Sequence, residues 1–166
     1  MAGKEHQEAE SKKGGGEMTR AEIVAKLKRY FKIKELVCQH ILAKFKGRED
    51  VAWDFLNKDL LEVLLWIRET LGKPITINKG SLATQRGMRC NLCQMVKDKV
   101  VAYLSSHVLG SGIDFDVEGM TADEVRQWLV DNQDSLPHPI RLERDVTWVH
   151  LDVRNETSEK IIWFDA

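Results

Sequence analysis

The chain has 166 residues, enough for one domain with a working hydrophobic core, and its 25 basic and 26 acidic side chains leave a formal net charge of -1. That balance argues against a nucleic-acid or anionic-membrane partner recognised by charge. No run of about 18 apolar residues offers a membrane-spanning helix, and residues 1–18 lack the apolar stretch of an ordinary secretory signal, so synthesis in a cytoplasm without a signal peptide is expected.

Residues 1–18 are polar and glycine-bearing and read as a disordered tail or leader, leaving 19–166 as a single domain. "TRAE" at Thr19–Glu22 is a capping-box pattern that predicts a short helix to about Arg29. Phe31 and Ile33 then alternate in an extended entry before a second helix near Lys34. From Val51 to Leu71, the residues Trp53, Leu56, Leu60, Leu61, Leu64, Leu65 and Ile67 recur at helical spacing, which predicts one long amphipathic helix stopped by Gly72 and Pro74. "PITIN" at Pro74–Asn78 is a short strand, Lys79–Asn91 a donor-rich loop, and "LCQMVKDKVVAYL" a helix ending near Leu104. "IDFDV" at Ile113–Val117 alternates with period two, so Asp114 and Asp116 share one face of a strand. "TADE" at Thr121–Glu124 is a second capping box, leading a helix through Trp128 and Leu129. "IRLE", "TWVHLDV" and "KIIWF" are three further strands. Helices first and short strands later make an α+β fold, with helices packed on one side of a small, mainly antiparallel sheet.

Cys38, Cys90 and Cys93 are too few, and odd in number, for a disulfide framework. "CNLC" has redox or zinc-knuckle spacing, but a structural zinc site needs four ligands and no second pair follows. Buried, inert thiols are therefore expected, with a redox pair or a minor metal site as alternatives.

The segment that carries chemistry is "SSHVLGSGIDF" (Ser105–Phe115), read together with "WVHLDV". Alternation puts Trp148, His150 and Asp152 on one face of the second strand and Val149, Leu151 and Val153 on the core face. Asp114 and His150 thus lie on non-core faces, and His107 sits in a glycine-flanked turn just before the first strand. Two imidazoles and one carboxylate suffice for a catalytic zinc, with a fourth position left for water. His107, Asp114 and His150 are the candidate ligands, and Gly110 and Gly112 let the backbone turn between the first two.

"SSHVLGSGIDFDV" followed by "WVHLDVR" resembles the zinc D-alanyl-D-alanine carboxypeptidases and murein endopeptidases, a group that includes phage cell-wall lysins and shares its fold with the hedgehog signalling domain. Ser105, His107, Gly110 and Asp114 match the first part of the family motif and His150 the last, over a likeness running from about Tyr30 to Phe164. Gly112 departs mildly, standing where many members carry alanine. The resemblance implies the hedgehog/DD-peptidase fold, a Zn2+ held by His107, Asp114 and His150, and hydrolysis of peptidoglycan peptides. The expected absence of a signal peptide fits a lysin that reaches the cell wall after release or as part of a phage particle, and also a cytoplasmic enzyme acting on imported dipeptides; a monomer is expected.

Family members place a glutamate general base three residues before the second histidine, where this chain has Thr147. In a hairpin turning at Asp145 and Val146, Glu143 would oppose Trp148 and share the inward face with His150, so Glu143 is the first candidate base. Asp145 and Asp152 are the alternatives, and Asp152 could instead orient the free ring nitrogen of His150. Among Gln85, Arg86 and Arg89, Arg86 is the candidate anchor for a substrate carboxylate, unless a local acid or solvent holds it. Gln85 and Ser105 are further candidate substrate contacts, and Trp148 either lines the cleft or shields a strand edge. His40 and His138 read as surface residues. The competing class is a cell-wall-binding or structural protein that keeps the metal site without catalysis, for which Thr147 is the best support.

Overall fold

A computed structural model describes residues 17–79, 84–154 and 157–165. The expected tail, up to residue 16, and residues 80–83 of the donor-rich loop lie outside them. Within the expected tail, Glu17 pairs with Lys58 and Met18 packs against the core. The described chain is α+β: helices α1 (Arg20–Leu27), α2 (Gln39–Lys44), α3 (Lys58–Leu71) and α4 (Ala122–Asp131) accompany strands β1 (Ile75–Thr76), β2 (Gly112–Val117), β3 (Ile140–Glu143), β4 (Val149–Asp152) and β5 (Ile161–Phe164). The strands form one sheet in the order β1-β2-β4-β3-β5, antiparallel except where β5 runs parallel to β3. Among the described residues, no helix is long and apolar enough to cross a membrane.

Both predicted capping boxes form. The Thr19 hydroxyl accepts from the Glu22 N–H and Glu22 reaches back to Thr19, and Thr121 and Glu124 do the same at the start of α4. One face of the sheet supplies Ile113, Phe115, Val117, Ile140, Leu142, Val149 and Leu151, all buried, to a core shared with Ile23 and Leu27 of α1, the apolar stripe of α3, and Val125 and Leu129 of α4. Each such side chain contributes about 1.5–3 kcal/mol by leaving water. The opposite face is then free to carry polar groups.

Two expected helices are corrected. The long helix from Val51 is a 3-10 segment (Glu49–Phe55) followed by α3, with the break at Leu56 and Asn57. Tertiary partners make that break. The Arg20 guanidinium donates to the carbonyls of Trp53 (3.2 Å) and Leu56 (2.9 Å), and the Asn57 N–H donates to the Gly110 carbonyl at 2.8 Å. The Asn57 side chain then caps α3 through the Asp59 N–H. The second correction is Leu92–Leu104, which forms successive turns and an extended run rather than a helix. It opens on a tight turn, with the Leu92 N–H directed at Cys90 Sγ (3.4 Å) and the Cys93 N–H donating to the Cys90 carbonyl (3.0 Å). Cys93 and Val96 are buried, but Val100, Val101 and Leu104 beyond them stay exposed, so the second half of the segment lacks a buried face to hold a helix.

Candidate metal centre

The polar face of the sheet carries the site. Asp114 of β2 and His150 of β4 are direct cross-strand partners, so their side chains meet without any loop intervening. His107 arrives from the turn before β2. That turn is built by the Val108 N–H donating to Ser105 Oγ (3.3 Å), the Leu109 N–H to the Ser105 carbonyl (3.1 Å), and Gly110 at φ 64. A Cβ at Gly110 would lie 2.3 Å from the Phe55 carbonyl oxygen, so glycine is required there. Gly112 has no room either, because a Cβ would lie 2.4 Å from Ser106 Oγ.

His107, Asp114 and His150 are all buried, and one ligand atom from each lies within 4.8 Å of the others. Asp114 Oδ1 is 2.6 Å from His150 Nδ1 and 3.3 Å from His107 Nε2. The surrounding groups fix which ring nitrogens point inward. His107 Nδ1 is 2.9 Å from the Gly87 carbonyl, which selects the tautomer protonated there and leaves Nε2 as the free donor atom. His150 Nε2 faces Asp152 Oδ2 and Ser106 Oγ, each at 3.4 Å, leaving Nδ1 towards Asp114. Two neutral-capable imidazoles oriented by their outer nitrogens, with one carboxylate between them, are a donor set that suits a divalent cation such as zinc.

Contacts within the cluster also shift the ionisation of its members. Burial alone would raise the Asp114 carboxyl, but hydrogen bonds from His107 and His150 outweigh it and hold the group well below the usual carboxylate range. Burial would likewise lower His150, yet its contacts with Asp114 and Asp152 lift it to about 9. Asp152 is fully buried; burial pushes it up, and the contacts with His150, Arg141 and the Arg154 N–H bring it below the usual range. The Arg141 fork meets it twice, at 2.9 and 2.7 Å.

Glu143 is buried, and its Oε2 lies 4.0 Å from His150 Nδ1. The expected hairpin register is corrected. β3 and β4 pair Arg141 with Asp152 and Leu142 with Leu151, so the next step sets Glu143 opposite His150 rather than Trp148. The connection is a wider loop over 144–148, with Asp145 at φ 57. Arg126 of α4 secures that loop by donating to the carbonyls of Glu143 (3.1 Å), Val146 (2.7 Å) and Trp148 (2.7 Å). Asp145 and Thr147 line hollows beside α4 whose walls do not include His107, Asp114 or His150.

The candidate substrate contacts are more scattered. The Arg86 guanidinium pairs with Asp116 at 2.6 Å, on the same sheet face as Asp114, while its carbonyl accepts from the Asp114 N–H at 2.7 Å. A local acid therefore holds it. Gln85 serves its own loop, its carbonyl accepting from Arg89 Nε and its Oε1 from the Met95 N–H. Ser105 shapes the His107 turn, and Trp148 is exposed at the start of β4. Sequence reasoning gave no role to Arg89, which is buried with Nη2 3.3 Å from Asp114 Oδ2, nor to Ser106, Arg126 and Arg141. Arg141 alternates with Glu143 on one strand, and that period was the available signal.

A second group also converges: Cys38, His40, Cys90 and Cys93 have ligand atoms within 4.8 Å of one another. The candidate partners of "CNLC" lie about fifty residues upstream rather than downstream. His40, expected at the surface, is half-buried beside Cys93. No family model, curated protein or solved structure matches the chain.

Proposed function

We propose that the chain is a zinc-dependent peptidase that hydrolyses amide bonds in the stem or cross-link peptides of peptidoglycan. The observation that carries this reading is the convergence of His107, Asp114 and His150 with a fourth group, Glu143, whose carboxylate stands 4.0 Å from His150 Nδ1. A zinc ion supplies Lewis acidity towards a substrate carbonyl and towards water when bound by such a set.

The chain's own residues do the rest. His107 Nε2, Asp114 Oδ1 and His150 Nδ1 are the donor atoms, and Gly87, Asp152 and Ser106 keep the rings turned that way. Arg89 occupies Asp114 Oδ2, which directs Oδ1 to the histidines. Glu143 is the general base: it takes a proton from the attacking water and returns it to the leaving amine. Its backbone is fixed by Arg126, so its carboxylate is aimed without a mobile loop. Arg86 sits beside the cleft and would exchange Asp116 for a substrate carboxylate. The likeness in sequence to cell-wall peptidases supports D-amino-acid peptides as substrates, reached after release from the producing cell or from a phage particle.

The test is Glu143→Gln, which preserves size. Amide hydrolysis should fall by at least about 100-fold with zinc content unchanged. Retained activity would move the proton-transfer role to Asp152 or Asp145. The second reading, a binding protein without catalysis, draws on Thr147 standing where relatives of this motif carry the base; zinc bound by a wild-type chain that cleaves no wall peptide would favour it.

A further inference from the structure

We propose that Cys38, His40, Cys90 and Cys93 form a second, purely structural zinc site that pins the segment orienting His107. Three thiols and one imidazole are a ligand set found in closed structural sites, where all four positions belong to the protein. Cys38 enters between the 3-10 turn Ile33–Glu35 and α2, and His40 follows in the first turn of α2. Cys90 and Cys93 come from a tight turn closed by the Cys93 N–H donating to the Cys90 carbonyl at 3.0 Å. The two segments are laid side by side by an isolated bridge between Val37 and Met88, with Cys38 N–H to Met88 carbonyl at 2.9 Å and Met88 N–H to Leu36 carbonyl at 2.8 Å. Gly87 permits that approach, since a Cβ there would lie 2.1 Å from the Leu36 carbonyl oxygen.

The distances suit a tetrahedral ion. Bonds of about 2.3 Å to sulfur and 2.0–2.1 Å to nitrogen put a sulfur and a nitrogen roughly 3.5–3.6 Å apart; Cys93 Sγ and His40 Nδ1 are 3.7 Å apart. The Cys90 and Leu92 N–H groups point at Cys93 and Cys90 sulfur, where they would stabilise thiolate charge. Cys38 and Cys93 are 1% exposed, which removes them from solvent chemistry. A redox pair would leave the convergence of Cys38 and His40 unexplained.

Position gives the site its purpose. Residues 87–89 run directly from it to the sheet: the Gly87 carbonyl meets His107 Nδ1, and the Arg89 N–H donates to the His107 carbonyl at 3.0 Å. This stretch has almost no regular secondary structure of its own. A zinc ion at Cys90 and Cys93 would anchor its far end.

The test uses the full chain, purified from zinc-supplemented medium without chelator. The proposal predicts that an organomercurial, which caps thiolates, releases about one zinc per chain to a colorimetric indicator, and that cobalt substitution gives a thiolate-to-cobalt charge-transfer band. Cys90→Ser and His40→Ala, at half-buried positions, should each remove that zinc and the band, whereas His150→Ala should leave both. Because the mercurial and the cobalt band read thiolate ligation alone, the result does not depend on the His107 cluster binding metal or cleaving anything. A wild-type chain with no mercurial-releasable zinc and no such band overturns the proposal, as does a Cys90–Cys93 disulfide in protein isolated under reducing cytoplasmic conditions.

Discussion

Asp152 is the group on which the polar face of the sheet most depends, and Asp152→Asn tests that dependence. The carboxylate is fully buried and accepts from Arg141 Nε at 2.9 Å, Arg141 Nη2 at 2.7 Å and the Arg154 N–H at 3.0 Å, while facing His150 Nε2 at 3.4 Å. Asparagine has the same shape but replaces one acceptor oxygen with an amide donor, so at least one of these donors meets another donor. Breaking a buried charge pair costs about 3–5 kcal/mol. The Arg141 side chain is 22% exposed and regains some solvation, so roughly 2–4 kcal/mol is expected, or about 5–15 °C in Tm for a domain of this size. Zinc affinity at the histidine cluster should fall about 10–100-fold, because the residue that orients a ligating imidazole is lost. Denaturant unfolding of the chelated chain measures the first quantity, and competition with a fluorescent chelator the second. A variant that unfolds within about 0.5 kcal/mol of wild type and keeps its zinc affinity refutes the reasoning.

Gly110→Ala should destabilise by roughly 2–5 kcal/mol, combining a left-handed backbone at φ 64 with a Cβ driven towards the Phe55 carbonyl; thermal unfolding would show it, and Gly72→Ala, equally left-handed but with open space around it, should cost less. Thr121→Ala should cost about 1 kcal/mol by removing the α4 cap. The Glu124 carboxyl is lowered by the Thr121 N–H and hydroxyl, so its contribution is present above pH 4.5 and is lost as the pH falls; the wild-type advantage over Thr121→Ala should accordingly shrink in acid unfolding curves.

Local patterns made much of this architecture legible. The two capping boxes, the period-two strands and the stripe of α3 each rest on interactions within a few residues, and the sheet face shared by Asp114 and His150 follows from alternation alone. What escaped was set by distant partners. Arg20 and Gly110 break the helix at Leu56, and neither has a signal near Leu56 in the chain. "LCQMVKDKVVAYL" has good helix formers, but beyond the buried Val96 its apolar residues Val100, Val101 and Leu104 stay exposed and give a helix little to pack on. The β3–β4 register depended on a loop that Arg126 clamps from α4, and the histidine and cysteine that converge on "CNLC" come from α2 and the residue preceding it. Residues that act through long-range contacts carry no short-range period.

The proposed role of His107, Asp114 and His150 is to hold a zinc that acts on amide bonds. It is tested most directly by following release of new amino groups from purified peptidoglycan by the wild-type chain, before and after chelation and after zinc is restored. The account predicts release that chelation abolishes and zinc recovers, and that His150→Ala lacks throughout. Release that persists in the chelated protein, or that is undiminished in His150→Ala, would contradict it.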